Sequence, residues 1–292
     1  LRVFGYTKHS LIGTVVGNVI NIILNSVFLF VFNWGVMGVA AATVFSKVVN
    51  LIIVAAMGAV LIKAKQSPER AQPRRILAQI VKIGFPSAFE TALYNVAITF
   101  VVRFMNQMDA DGMNVTARSY AMQIANFSYC VGAALAQANA IMTGWRIGAK
   151  KYEECDRGTR KAVIYGLVTA TCFSVTFAMT GRFIVHIFTD DTQMIELVVK
   201  LLIVDIFLEF GRVTNLVYGQ ALKTSGDAIF PVIMGAIFMY LFAVGGTYFL
   251  GIHMGLLAVG AYIAMAGDEC ARAVGMVLRW KSGKWKSKSL VE

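Results

Sequence analysis

Phe230-Pro-Val-Ile-Met-Gly-Ala-Ile-Phe-Met-Tyr240-Leu-Phe-Ala-Val-Gly-Gly-Thr-Tyr-Phe-Leu250 runs for 21 residues without a charged side chain. As an α-helix this stretch is about 31 Å long, matching a bilayer hydrocarbon core of roughly 30 Å. It is too long for a strand and lacks the period-two alternation of an outer-membrane barrel. Backbone groups find no water in that core, so a helix is the remaining solution. Seven further stretches read the same way, at about 11–32, 36–62, 84–104, 116–142, 162–181, 195–218 and 254–278. The expectation is an all-α integral membrane protein with eight spanning helices. Composition agrees: 58% of the residues are hydrophobic and 15% charged, against about 25% charged in an ordinary soluble domain. Such a chain cannot cover its apolar surface in water.

The net charge of +11 raises nucleic acid as a partner. The placement of the basic residues argues otherwise. Numbered from the N-terminus, the polar gaps form two alternating sets. The first (1–10, 63–75, 146–161, 219–229 and 279–292) holds 19 lysines and arginines, and the second holds only Arg182. By the positive-inside rule both chain ends are expected in the cytoplasm of a multi-pass plasma-membrane protein. Trp34, Trp145, Trp280 and Trp285 stand at or just beyond the ends of predicted spans, where amphipathic rings prefer the interface. The bilayer, not nucleic acid, is the partner this pattern implies. Cys130, Cys155, Cys172 and Cys270 are too scattered for a disulfide or zinc framework. No P-loop, H-E-x-x-H or serine elbow is present, so nothing points to an enzyme or to a bound cofactor.

An internal repeat organises the spans. Leu1-Arg-Val-Phe-Gly5 resembles Leu222-Lys-Thr-Ser-Gly226, and Gly35-Val-Met-Gly-Val-Ala-Ala41 resembles Gly255-Leu-Leu-Ala-Val-Gly-Ala261, at nearly equal offsets. Spans one and two then correspond to spans seven and eight. Two six-helix halves are implied, with four further helices expected upstream. Residues 1–62 would be the last two helices of the first lobe, 63–83 an inter-lobe linker, 84–278 a six-helix second lobe and 279–292 a basic tail.

Charged residues inside spans cost roughly 2.5–3.5 kcal/mol each on insertion scales, so each needs a reason. Glu90 lies in span three; Asp205, Glu209 and Arg212 share one face of span six. Counted from their span ends, Glu90 and Arg212 fall about 9 Å inside, at one level. Three carboxylates against one arginine leave negative charge to bind a cation or a proton. The same residues could instead brace the lobe, with Arg212 pairing to Glu209 and Glu90. Asp268, Glu269 and Arg272 in span eight are expected to close the lobe as a polar cluster, and Arg103 and Arg118 to snorkel from their span ends. Tyr94 and Asn95 extend the Glu90 surface; Asn21, Asn25 and Thr43 mark faces of the first two spans. Gly13-Thr-Val-Val-Gly17 signals close helix packing.

Pro86-Ser-Ala-Phe-Glu90 with Tyr94-Asn95, Ala117-Arg-Ser-Tyr120 and Gly148-Ala-Lys-Lys-Tyr152 resemble the seventh and eighth helices of multidrug and toxin extrusion (MATE) transporters. Glu209-x-x-Arg212-x-x-Asn215, Ala221-Leu-Lys-Thr-Ser-Gly-Asp227 and Asp268-Glu-x-x-Arg272 resemble later helices of that family, so the chain corresponds to helices 5–12 of twelve. The resemblance implies export of cationic lipophilic compounds in exchange for sodium ions or protons, by a monomer with alternating access of two lobes. It places the second-lobe coupling carboxylate at Glu90. Asn21-Ile-Ile-Leu-Asn25 and Thr43 match part of the family's first-lobe cation site, with Asn25 where relatives carry aspartate. A lipid-linked oligosaccharide flippase of the same superfamily, or a truncated non-transporting relic, are the alternatives.

The topology is directly testable. Single-cysteine labelling of Lys150→Cys and Asp111→Cys should show reaction from outside only at position 111. Labelling of both from one side contradicts the charge reading.

Overall fold

The computed structural model describes residues 1–62, 73–109 and 111–288, and these are almost entirely helical, with no strand among the described residues. Eight long helices follow in chain order: α1 (Thr7–Val31), α2 (Gly35–Leu61), α3 (Pro73–Asn106), α4 (Met113–Gly148), α5 (Tyr152–Val185), α6 (Thr192–Thr224), α7 (Ile229–His253) and α8 (Leu257–Lys281). The first part of the expected linker, 63–72, lies outside the described residues. Its remainder is already helix: α3 starts at Pro73, where proline's missing N–H has no helical partner to lose. Two compact units result, Leu1–Gln72 and Pro73–Glu292.

In the first unit α1 and α2 pack as a hairpin. A Cβ on Gly13 would come within 2.8 Å of Val54 Cγ2, and one on Gly17 within 3.0 Å of Asn50 Cβ. The G-x-x-x-G reading of close packing therefore holds.

In the second unit α6 is the central helix, packed against α4, α5 and α8. Its buried side chains, Val198, Leu201, Leu208, Val213, Val217 and Leu222, lie within two hydrophobic clusters. Asp191 caps its start, the carboxylate accepting from Gln193 N at 2.9 Å and Met194 N at 3.4 Å. Only five of the eight helices are long and apolar enough to cross a membrane by length and composition: α1, α2, α5, α7 and Gly84–Asn106 of α3. The remaining three, α4, α6 and α8, carry polar and charged residues on the faces they pack together, while Phe127, Phe207 and Leu278 stay exposed on their outer faces.

The chain's last helical turns depart from the expectation that all four tryptophans stand at the bilayer interface. Trp34 and Trp145 are exposed as expected, but Trp280 and Trp285 are buried. Their rings stack at 4.2 Å, and Trp280 Nε1 donates to Asp156 Oδ1 at 2.8 Å. A short 3₁₀ turn, Lys284–Lys288, folds back so that Lys288 Nζ reaches Asp227 Oδ1 at 2.7 Å, beside Arg279 Nε on Oδ2 at 2.6 Å. Burial alone would raise the Asp227 carboxyl, but the hydrogen bonds and charges of Arg279 and Lys288 outweigh it and hold it below the usual carboxylate range.

A folded-state value below the unfolded one means this pair stabilises the fold above the ordinary aspartate range. The contribution is lost as pH falls through the depressed value. Asp227→Asn should lower stability in detergent by about 3 kcal/mol at neutral pH, because two partly buried cations lose their carboxylate. It should also red-shift tryptophan emission as Trp285 is released. An unchanged melting curve and emission would show the tail contact to be incidental.

Candidate functional site

The second unit contains a half-open cavity of about 490 Å³ between α3, α4, α6, α7 and α8. The face of α6 toward it carries Asp205, Leu208, Arg212, Asn215, Gly219 and Lys223, a 3–4 repeat sustained over five turns. Opposite stand Glu90 and Tyr94 from α3, and Arg118 from α4. Glu269 and Arg272 of α8 complete the charged lining. Met122, Met239 and Met265 supply adaptable apolar wall.

Arg212 is the hub. It hydrogen-bonds Glu209, one turn earlier on its own helix, and its Nε lies 3.9 Å from Glu269 Oε1 on α8. Glu209 Oε2 also accepts from Ser128 Oγ of α4 at 3.2 Å. Glu269 accepts from Asn215 Nδ2 at 2.9 Å and pairs with Arg272 Nη2 at 3.0 Å. Arg272 grips Asp268 through Nε at 3.0 Å and Nη2 at 2.6 Å. The Glu209–Arg212 pair and the Asp268–Glu269–Arg272 group, read separately from sequence, thus form one network across the α6–α8 contact. That contact is close because Gly211 has no side chain: a Cβ there would meet Cys270 N at 2.6 Å and Glu269 C at 2.8 Å.

Two expectations need correction. Glu90 pairs with Lys223, Oε2 to Nζ at 2.6 Å, rather than with Arg212. The reading from span ends placed Lys223 in a loop, but α6 continues to Thr224 and carries it into the cavity. Arg118, expected to snorkel outward, is 7% exposed and lines the cavity. Its position beside the small-residue stripe Ala117, Ala121 and Ala125, all buried, was the available signal of an inward face.

The other sequence candidates divide. Tyr94 lines the cavity. Asn95 is exposed, donating to Thr91 O of its own helix at 2.9 Å. Within the first unit Asn21, Asn25 and Thr43 come together as a chain. Asn25 Nδ2 donates to Asn21 Oδ1 at 3.1 Å, and Asn21 Nδ2 reaches Thr43 Oγ1 at 3.5 Å and Ser46 Oγ at 3.1 Å. Buried Ser46 was missed, although it stands three residues beyond Thr43 on the same face.

A multi-helix unit with long apolar spans around a charged, methionine-walled cavity has the make-up of a membrane transporter. The family model for MatE matches residues 86–249, more than half of the chain. An uncharacterized transporter, YisQ, from Bacillus subtilis is 31% identical over 99% of this chain and 65% of its own length. A probable multidrug resistance protein, NorM, from Thermotoga maritima is 25% identical over all of this chain and 63% of its own. The chain therefore spans just under two thirds of the length of these relatives. Among solved structures, a Vibrio cholerae MATE transporter mutant superposes with a TM-score of 0.86 at 17% identity, over 98% of this chain and 65% of that one. A MATE structure in a straight conformation gives 0.80 at 20% identity, over 94% and 63%. The chain belongs to the MatE family of multi-pass membrane transporters.

Gly211→Ala should force α6 and α8 apart and cost about 1–3 kcal/mol of stability, as over-packing does. Gly58→Ala, where nothing lies within 4 Å, is the control and should be neutral or slightly stabilising. Thermal denaturation of the purified protein in detergent separates the two. Equal melting temperatures would remove the close approach as a constraint.

Proposed function

We propose that the chain forms part of a secondary antiporter that exports cationic lipophilic compounds in exchange for sodium ions or protons, by alternating access of two lobes. The observation that carries this reading is Asp205. It is 4% exposed, lines the cavity, and makes no hydrogen bond or ion pair among the described residues. Every other carboxylate of the cluster is committed: Glu90 to Lys223, Glu209 to Arg212, and Asp268 and Glu269 to Arg272. A lone carboxylate in a low-dielectric wall is costly, and a proton, a sodium ion or a substrate ammonium each relieves that cost. Only one can do so at a time. Competition for Asp205, with each ligand favouring a different lobe arrangement, yields antiport without covalent chemistry. The names of the NorM relatives, as probable multidrug resistance proteins, support the substrate side of the reading.

This moves the coupling role from Glu90, where the family resemblance put it, to Asp205. Glu90 already holds an ammonium, that of Lys223, so an incoming cation must first displace a tethered competitor. In the first unit the Asn21, Asn25 and Thr43 site is formed of neutral groups, which weakens it as a cation seat. A flippase for lipid-linked oligosaccharides would need a strongly cationic cavity. Here Asp205, Glu90 and Glu269 stand in the wall beside Arg118, Arg212, Lys223 and Arg272, and Glu209 and Asp268 pair with Arg212 and Arg272 from outside the lining, so the wall is close to neutral and does not favour it.

Fluorescent-cation efflux by the full-length transporter tests the assignment. Asp205→Asn keeps the volume, removes the charge, and should cut efflux by about tenfold or more at equal membrane expression. Glu90→Gln should impair it less, since it also releases Lys223. Near-normal efflux by Asp205→Asn would overturn the role of Asp205.

A further inference from the structure

Arg118 is as unpartnered as Asp205. Its Nε is buried without an acceptor, and its guanidinium makes no hydrogen bond or ion pair among the described residues. The other cations lining the cavity are all engaged: Arg212 with Glu209, Arg272 with Asp268 and Glu269, and Lys223 with Glu90. An arginine does not escape the cost of burial by losing its proton. Asp205 and Arg118 line the same cavity yet are not paired with each other. Tyr262, 2% exposed, shares that lining.

Resting on the reading of this cavity as the substrate site, we propose that its preferred cargo is a zwitterionic amphiphile, whose ammonium sits at Asp205 and whose carboxylate is held by the Arg118 guanidinium. A purely cationic ligand satisfies Asp205 and leaves Arg118 bare beside an added positive charge. A purely anionic ligand does the reverse. Only a ligand carrying both poles neutralises both groups, and the planar fork of arginine fits a carboxylate through two parallel N–H···O bonds. The volume of about 490 Å³ suits one small molecule. Met122, Met239 and Met265 offer its apolar body a soft wall. Arg118 is thus a specificity-determining residue, separate from the ion coupling carried by Asp205.

Three ligands built on one aromatic body test this: the amino acid itself, its methyl ester (cation only) and its N-acetyl derivative (anion only). Their affinities for the purified full-length transporter are measured calorimetrically. The zwitterion should bind about tenfold or more tighter than either single-pole analogue, as a charge-assisted contact predicts. Arg118→Gln should bring the zwitterion to within about twofold of the ester, and Arg118→Lys should restore part of the difference. Equal wild-type affinities for zwitterion and ester overturn the proposal, and this comparison needs no variant to fold. So does an N-acetyl ligand that binds as tightly as the zwitterion, or an Arg118→Gln variant that weakens zwitterion and ester alike. Asp205→Asn reports on the underlying reading separately. Unchanged ester binding there removes the cation site, and the two-pole site with it. Ester binding lost in Asp205→Asn, with the zwitterion-to-ester ratio unmoved in Arg118→Gln, removes only the role of Arg118.

Discussion

A guanidinium held in a low-dielectric wall is costly unless carboxylates answer it, and the second unit is arranged around that cost at Arg212, whose side chain is only 20% exposed. Glu209 meets it from within α6, and Glu269 approaches from α8. Glu269 in turn is shared with Arg272, which is anchored by Asp268. Arg212, Glu209, Glu269 and Arg272 each satisfy two or more neighbours, and Asp268 ends the network on Arg272. The backbones of α6 and α8 have to approach closely for charges on both helices to share one network, and Gly211 makes the space. Packing and electrostatics are thus one constraint. The small residue exists where the ion pairs need it.

The same requirement sorts the helices. The five that pass as membrane spans on hydropathy carry most of the exposed apolar surface. The three that do not pass, α4, α6 and α8, hold most of the ionised groups of the cavity and turn those faces inward, where protein partners rather than lipid meet them. Lipid has no way to solvate a charge, so a polar helix can survive at membrane depth only behind apolar ones.

Most of this architecture was legible because a bilayer imposes length and polarity on every span. Eight apolar stretches became eight helices, and the Asp205, Glu209 and Arg212 face was readable from spacing alone. What could not be read was depth. Lys223 was assigned to a loop because hydropathy falls after Tyr218, yet backbone hydrogen bonding carries α6 on to Thr224 and a 3–4 repeat places Lys223 below Arg212. Arg118 at a span end looked free to snorkel, and only the side of the helix it occupies turns it inward. Trp280 and Trp285 looked interfacial, but a pair of indoles that can stack and donate to Asp156 and a backbone carbonyl is better buried in protein than left at a surface. Pairing partners depend on helices distant in sequence, and one-dimensional spacing does not report them.

Which charges are paired also bears on what the cavity can recognise. A pair such as Arg272 with Asp268 is neutral in sum and offers a ligand little, since any new contact must first break an existing one of similar strength. Glu90 with Lys223 is an intermediate case, half-open to the cavity and exchangeable at the cost of one ammonium for another. Asp205 and Arg118 have no hydrogen bond or ion pair to surrender among the described residues, so a ligand there need not first break one. Differential affinity between two conformations is what drives a transport cycle, and a fully self-paired wall would supply almost none. On the reading proposed above, the paired residues hold the lobe in shape, and the two unpaired ones of opposite sign are where the chemistry of a cargo would shift its equilibrium.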